Sequence, residues 1–137
     1  MAITCGIDTI RISRIRDLYK RKGELFLERI YTKTEMDVCL SKKIGRMESL
    51  AARFAAKEAV SKALGTGIWR HGIRFTDIEI VVDETGKPSV FFHGNARVEF
   101  ERIGGLHAAV SISHDGDQAV AVCVIECSDP VTGGERK

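Results

Sequence analysis

The sequence predicts an α+β domain in which helices come first and an antiparallel sheet follows. Two observations carry that prediction. From Arg11 to Leu64 the apolar residues recur at helical spacing, and beyond Gly65-Thr66-Gly67 they mostly alternate with a period of two. The alternating half is also interrupted by two clusters of turn formers, residues 83–88 and 114–117, each flanked by apolar alternation as in a hairpin.

The elements follow in order. Ile3-Thr4-Cys5-Gly6-Ile7-Asp8 is short, partly alternating and rich in β-branched residues, and reads as a strand with Asp8 at its C-terminal end. From Arg11 to Lys22, Ile12, Ile15, Leu18 and Tyr19 fall at helical spacing, and Gly23 stops the pattern. A short helical piece from Glu24 to Ile30 comes next. Thr32 and Glu35 form an S/T-x-x-E capping box that opens a helix running to about Lys43. Met47 to Leu64 is the strongest helical signal, with Met47, Leu50 and Phe54 set among many alanines. Phe75 to Val82 and Ser89 to His93 read as a first hairpin, and Asn95 to Ile103 as an amphipathic helix ended by Gly104-Gly105. Leu106 to Ser113 and Gln118 to Glu126 read as a second hairpin joined by His114-Asp115-Gly116-Asp117. With 137 residues there is room for one domain, assigned to residues 1–126, and the Pro- and Gly-containing segment 127–137 reads as a flexible tail. A sheet of hairpins with few helices to cover it leaves apolar surface that association with further copies could bury.

Hydrophobic residues make up 44% and charged residues 29%, a balance that excludes a disordered chain. The formal charge is only +2, which does not favour general attraction to nucleic acid. The charge is unevenly spread. Arg11, Arg14, Arg16, Lys20, Arg21 and Lys22 lie in one stretch with Asp17 as the only acid, a local +5 that leaves −3 for the rest of the chain. Tyr19 is the only aromatic there, so the interleaved rings of a single-strand nucleic-acid surface are missing. On a helix Arg14, Leu18 and Arg21 share one face, a basic stripe with an apolar centre suited to an acidic protein partner. No apolar run approaches the length of a membrane span. Cys5, Cys39, Cys123 and Cys127 show no C-x-x-C spacing, and together with the absence of a secretory signal they point to reduced thiols in the cytoplasm.

Glu58 and Lys62 stand one helical turn apart, and Arg53 and Lys57 another. A solvated ion pair is the ordinary meaning of the Glu58–Lys62 spacing. The small residues around it (Ala51, Ala52, Ala55, Ala56, Ala59, Ala63) would admit a ligand or another element close to the backbone. The Gly65-Thr66-Gly67 loop would leave N–H groups for an anion, with Arg53, Lys57 and Lys62 outweighing the unfavourable helix dipole. Asp8 is a turn residue on the ordinary reading; brought next to Glu58 it would make the hard, oxygen-rich, few-ligand site that magnesium prefers over zinc. His114 has a turn role as its ordinary reading.

Gly6-Ile7-Asp8 with Arg14-Ile15, the run Arg53-Phe54-Ala55-Ala56-Lys57-Glu58-Ala59-Val60-Ser61-Lys62-Ala63-Leu64-Gly65-Thr66-Gly67, Phe75-Thr76-Asp77-Ile78-Glu79-Ile80, Gly86-Lys87-Pro88 and Val110-Ser111-Ile112-Ser113-His114 together resemble the short 4′-phosphopantetheinyl transferases, the holo-acyl-carrier-protein synthase group. The resemblance runs in order from Ile3 to Glu126. It implies that family's fold and a magnesium-dependent transfer of the phosphopantetheine arm of coenzyme A to a serine of an apo acyl carrier protein, releasing adenosine 3′,5′-bisphosphate, in fatty acid biosynthesis. It also implies a homotrimer with active sites between subunits. Asp8 and Glu58 match the family's metal-binding carboxylates, and Lys62 its phosphate-contacting lysine. Arg53, Gly65, Gly86, Lys87, Pro88 and His114 fall where the family contacts coenzyme A, and Arg14, Leu18 and Arg21 lie on the helix that receives the carrier. Glu58 is the expected base for the serine proton, with Asp115 as the alternative. A non-catalytic module that holds coenzyme A or a carrier is the competing reading; it would be marked by loss of Asp8, Glu58 or Lys62, and all three are present.

Overall fold

A computed structural model describes residues 1–129. The chain runs β1 (Ala2–Arg11), α1 (Ile12–Lys22), α2 (Glu24–Ile30), α3 (Lys33–Ser41), α4 (Arg46–Leu64), β2 (Ile78–Val82), β3 (Pro88–Phe92), α5 (Gly94–Arg102), β4 (Gly105–Asp115) and β5 (Gln118–Cys127). It is the expected α+β arrangement. β5 lies between β1 and β4 in one antiparallel sheet, and β2 pairs with β3 in a second.

α4 crosses the inner face of the larger sheet, and its alanines make that approach close. Ala51, Ala55, Ala56, Ala59 and Ala63 are buried, facing Ile10 of β1 and Ala119, Ala121, Cys123 and Ile125 of β5. Gly6 is the position of closest approach. A Cβ there would run into the Ala59 carbonyl oxygen and stand 2.7 Å from the Ala63 amide nitrogen. Gly6→Ala must therefore push β1 away from the part of α4 that carries Glu58 and Lys62. We expect it to destabilise the protein by about 1–3 kcal/mol in urea unfolding, with a loss of activity larger than the loss of folded protein.

The chain departs from the sequence reading where long-range contacts decide local structure. β1 continues past Asp8 to Arg11 because β5 supplies partners for its whole length, including Ala121 for Asp8. Asp8 is therefore inside a strand and not at its end. Phe75–Asp77 is a 3₁₀ turn, since the Asp77 carboxylate accepts the Arg74 amide at 3.0 Å and bends the chain back before the ladder starts at Ile78. β4 also runs on: His114 pairs with Ala119 and Asp115 with Gln118, leaving only Gly116 and Asp117 in the turn. Gly116 has φ 57, the positive value that a II′ hairpin needs at its first central residue. Cys127, assigned to the tail from sequence, is the buried last residue of β5, paired with Ala2 and Gly105. Residues 130–137 of that tail lie outside the described residues.

The Thr32–Glu35 capping box forms as expected, with the Thr32 amide donating to Glu35 Oε1 at 2.8 Å and the Glu35 amide to Thr32 Oγ1 at 3.2 Å. Glu35 also holds an ion pair that sequence reading did not find. Lys57 Nζ lies 2.7 Å from Glu35 Oε1, with both side chains fully buried. The same ammonium donates to the carbonyls of Phe75 and Ile78, and Glu35 Oε2 accepts the Ile80 amide at 2.7 Å. Burial lowers the Lys57 pKa against the pull of Glu35. Two charges thus bolt α3, α4 and β2 together beneath the next residue on α4, Glu58.

Candidate active site

Strand alternation turns Gly6, Asp8 and Ile10 toward α4 and Ile3, Cys5 and Ile7 outward. Because Gly6 admits α4 closely, Asp8 meets the last turns of that helix. Lys62 Nζ donates to Asp8 Oδ1 at 3.1 Å and to the Ile7 carbonyl at 2.9 Å. The ordinary one-turn ion pair does not form: among the described residues the ammonium bridges to β1 and not to Glu58. Glu58 is half-buried beside them. Burial first, and then the Asp8 carboxylate, raise its pKa above the usual carboxylate range, while Lys62 and Arg14 act in the opposite direction.

Two carboxylates that repel each other in a partly desolvated place fit a divalent cation. Among the described residues no cluster of three or more His, Cys, Asp or Glu is placed to hold a metal ion. A two-carboxylate donor set completed by water and phosphate oxygens is the magnesium pattern.

Two clefts flank α4. The first, about 750 Å³, gathers four of the expected coenzyme A contacts, Arg53, Gly86, Pro88 and His114, and adds Lys42. Arg53 is buried, with one guanidinium nitrogen donating to Ser49 Oγ at 2.7 Å, and its Nε finds no acceptor among the described residues. A buried, unsatisfied cationic donor on a cleft wall fits an anionic ligand. Lys87 does not line this cleft, although its two chain neighbours do. Asp115 projects from β4 on the side opposite His114 and lines neither cleft.

The second cleft, about 780 Å³, lies between α1 and α2 on one side and the segment after α4 on the other. Arg14, Leu18 and Arg21 line it together with Glu58, so the basic stripe of α1 and the raised carboxyl share one cavity. Its floor is aromatic: Phe54 and Phe75 stack at 5.0 Å between centroids, and Trp69 meets Phe75 edge-on at 6.1 Å.

Gly65 stands apart from both clefts. It caps α4 with φ 89, and the amides of Gly65, Thr66 and Gly67 bond to the carbonyls of Lys62 and Ser61. The N–H groups expected to bind an anion are thus consumed in ending the helix. Arg53 faces the first cleft and Lys57 is internal, so neither reaches that loop.

The family model of the 4′-phosphopantetheinyl transferase superfamily matches residues 4–123. The chain belongs to that superfamily. It is 43% identical over 129 residues to the holo-[acyl-carrier-protein] synthase of Ruminiclostridium cellulolyticum, covering 94% of this chain and 96% of that one. It also superposes on the holo-[acyl-carrier-protein] synthase of Neisseria meningitidis with a TM-score of 0.81 and 35% identity, over 90% of this chain and 97% of that one. The Helicobacter pylori holo-[acyl-carrier-protein] synthase in complex with coenzyme A gives a TM-score of 0.77 and 34% identity, over 89% and 99% of the two chains. The transferase fold expected from the sequence is therefore present. What sequence reading missed in this transferase is the aromatic floor. Phe75 was assigned to a strand and Trp69 to nothing, although an exposed Trp after a helix-ending Gly-Thr-Gly is a signal in itself.

Proposed function

We propose that this transferase is a holo-[acyl-carrier-protein] synthase, moving the 4′-phosphopantetheine group of coenzyme A to a serine of an apo acyl carrier protein for fatty acid biosynthesis. The observation that carries this reading is that Glu58 lines the same cleft as Arg14, Leu18 and Arg21, while the Asp8–Lys62 pair adjoins it. A partner docked on α1 thereby presents its nucleophile to the Glu58 carboxyl.

Coenzyme A occupies the first cleft, with Arg53, Lys42, Gly86, Pro88 and His114 around it and Lys87 beside them, and its phosphates reach Asp8, Glu58 and Lys62, which lie outside that cleft, across a subunit boundary. Gly65 shapes the site by ending α4. A magnesium ion, held by Asp8 and Glu58, would neutralise charge on the pyrophosphate oxygens. The serine hydroxyl attacks the phosphorus that carries pantetheine, and the bond from that phosphorus to the adenosine 3′,5′-bisphosphate oxygen breaks. Glu58 takes the serine proton. Lys62, anchored by Asp8 and the Ile7 carbonyl, faces the charge that develops on the leaving phosphate. Asp8, Glu58 and Lys62 gathered in one place favour catalysis over a non-catalytic module.

The outward face of β1 and β5 supports association of copies, and the family resemblance gives their number as three, with active sites between subunits. Ile3, Ile7 and Val124 are 65%, 59% and 37% exposed on that face, a poor surface for a monomer. Sedimentation equilibrium at three times the chain mass is expected. Among the described residues no helix is long and apolar enough to cross a membrane. The four free thiols suit a cytoplasmic location, where coenzyme A is also kept reduced.

The deciding experiment is incubation with coenzyme A, magnesium chloride and an apo acyl carrier protein, followed by mass spectrometry of the carrier. A phosphopantetheine adduct that disappears with EDTA is expected; no adduct from the folded protein would end this reading. Arg14→Glu is expected to raise the KM for the carrier about tenfold or more while the KM for coenzyme A stays within about twofold. Equal changes in both would remove α1 as the carrier surface.

A further inference from the structure

Helix α1 carries no cap of its own. Arg11 stands at its N-cap without a side-chain acceptor, and its first turn holds no acidic residue. The free N–H groups that open any helix must still find partners. They find them at the opposite end of the chain. Asp117 Oδ1 accepts the Ser13 amide at 2.8 Å, Asp117 Oδ2 accepts the Ser13 hydroxyl at 2.6 Å, and the Asp117 carbonyl accepts the Ile12 amide at 2.8 Å. The bonds span 104 residues of sequence.

The residue that accepts these bonds is itself fixed. Asp117 is the second of two residues in the β4–β5 turn, held by the Asp115–Gln118 pair on one side and by the Arg11–Gln118 pair on the other. The Ser13 hydrogen bonds lower its carboxyl pKa below the usual range, so it stays an anion at the positive end of α1. Arg14 directly follows the capped residue, and Leu18 and Arg21 lie on the same helical face. Because the three share one face, a rotation of α1 shifts all of them together relative to the cleft they share with Glu58.

We propose that Asp117 is a positioning residue for carrier recognition: from the β4–β5 turn it sets the rotation and tilt at which α1 presents Arg14, Leu18 and Arg21. It lines neither cleft. This role rests on α1 being the carrier surface.

The test compares Asp117→Ala and Asp117→Asn with the wild type in steady-state kinetics on coenzyme A and an apo acyl carrier protein. Hydrogen exchange of the peptide containing residues 9–22 is followed in parallel. Asp117→Ala is expected to raise the KM for the carrier about fivefold, leave kcat and the KM for coenzyme A within about twofold, and speed exchange at the start of α1. Asp117→Asn is expected to stay close to wild type, because its amide accepts from the Ser13 N–H and donates to the Ser13 hydroxyl. A merely structural role would lower the active fraction, and so kcat, with both KM values unchanged; that result overturns the inference. So does an unchanged carrier KM in a variant whose α1 exchanges faster, or an Asn variant as impaired as the Ala variant. A wild-type protein that modifies no carrier overturns the functional reading as well. An active wild type matched by Asp117→Ala overturns this inference alone.

Discussion

Glu58→Gln is expected to lower kcat for carrier modification by about 10²–10⁴-fold, the range for losing a positioned general base, without unfolding the protein. Glutamine keeps the shape of the side chain and removes both its basicity and half of the carboxylate pair. The fold should not suffer. Glu58 has its pKa raised in the folded state, so its ionised form is disfavoured there; any stability it contributes is present at low pH and lost as pH rises through its folded pKa. At neutral pH in EDTA the variant should therefore unfold in urea at the same denaturant concentration as wild type, or a higher one. A rate within tenfold of wild type, from a variant with unchanged circular dichroism, would remove Glu58 from the proton-transfer role.

Lys57→Met is expected to have the largest effect on stability, a loss of about 3–5 kcal/mol. The substitution leaves the Glu35 carboxylate in a fully buried position without its cation. It also leaves the Phe75 and Ile78 carbonyls without the ammonium that now serves them. Adding Glu35→Leu should recover part of the loss, because the double variant buries no unpaired charge. The two single effects are therefore expected to sum to clearly more than the double effect. Urea unfolding at one fixed protein concentration measures this, since association of copies would otherwise shift the midpoint. Additive effects would mean that the pair does not act as a unit.

The parts of the site that could be read in advance are those in which a side chain's role follows from its own helix or strand. The spacing of Arg14, Leu18 and Arg21 is enough to place them on one face, and they do share one cleft. The capping box at Thr32 depends on residues three apart and forms as read. Where a side chain reaches across elements the reading fails. The ordinary i, i+4 partner of Lys62 is Glu58 on its own helix, but its ammonium bridges to Asp8 on β1. Lys57 reads from sequence as a cation for an anion at the Gly65 loop, and Glu35 as half of a cap; they are partners inside the core. The Gly65-Thr66-Gly67 amides looked available and are used in ending α4.

The sequence by itself determined the order and type of the elements, because the change from helical to alternating spacing and the glycine stops are local properties of the chain. With the resemblance it also named Asp8, Glu58, Lys62, Arg53 and His114. It could not say how these residues meet. That was decided by Gly6, whose missing side chain lets α4 settle on β1 and brings Asp8 to Lys62, and by the Asp117 carboxylate, which caps α1 from 104 residues away. The reason is physical: helix and strand periods are set by near neighbours along the backbone, whereas a site is made by close packing and by polar groups that must find partners once water is excluded, wherever in the chain those partners lie.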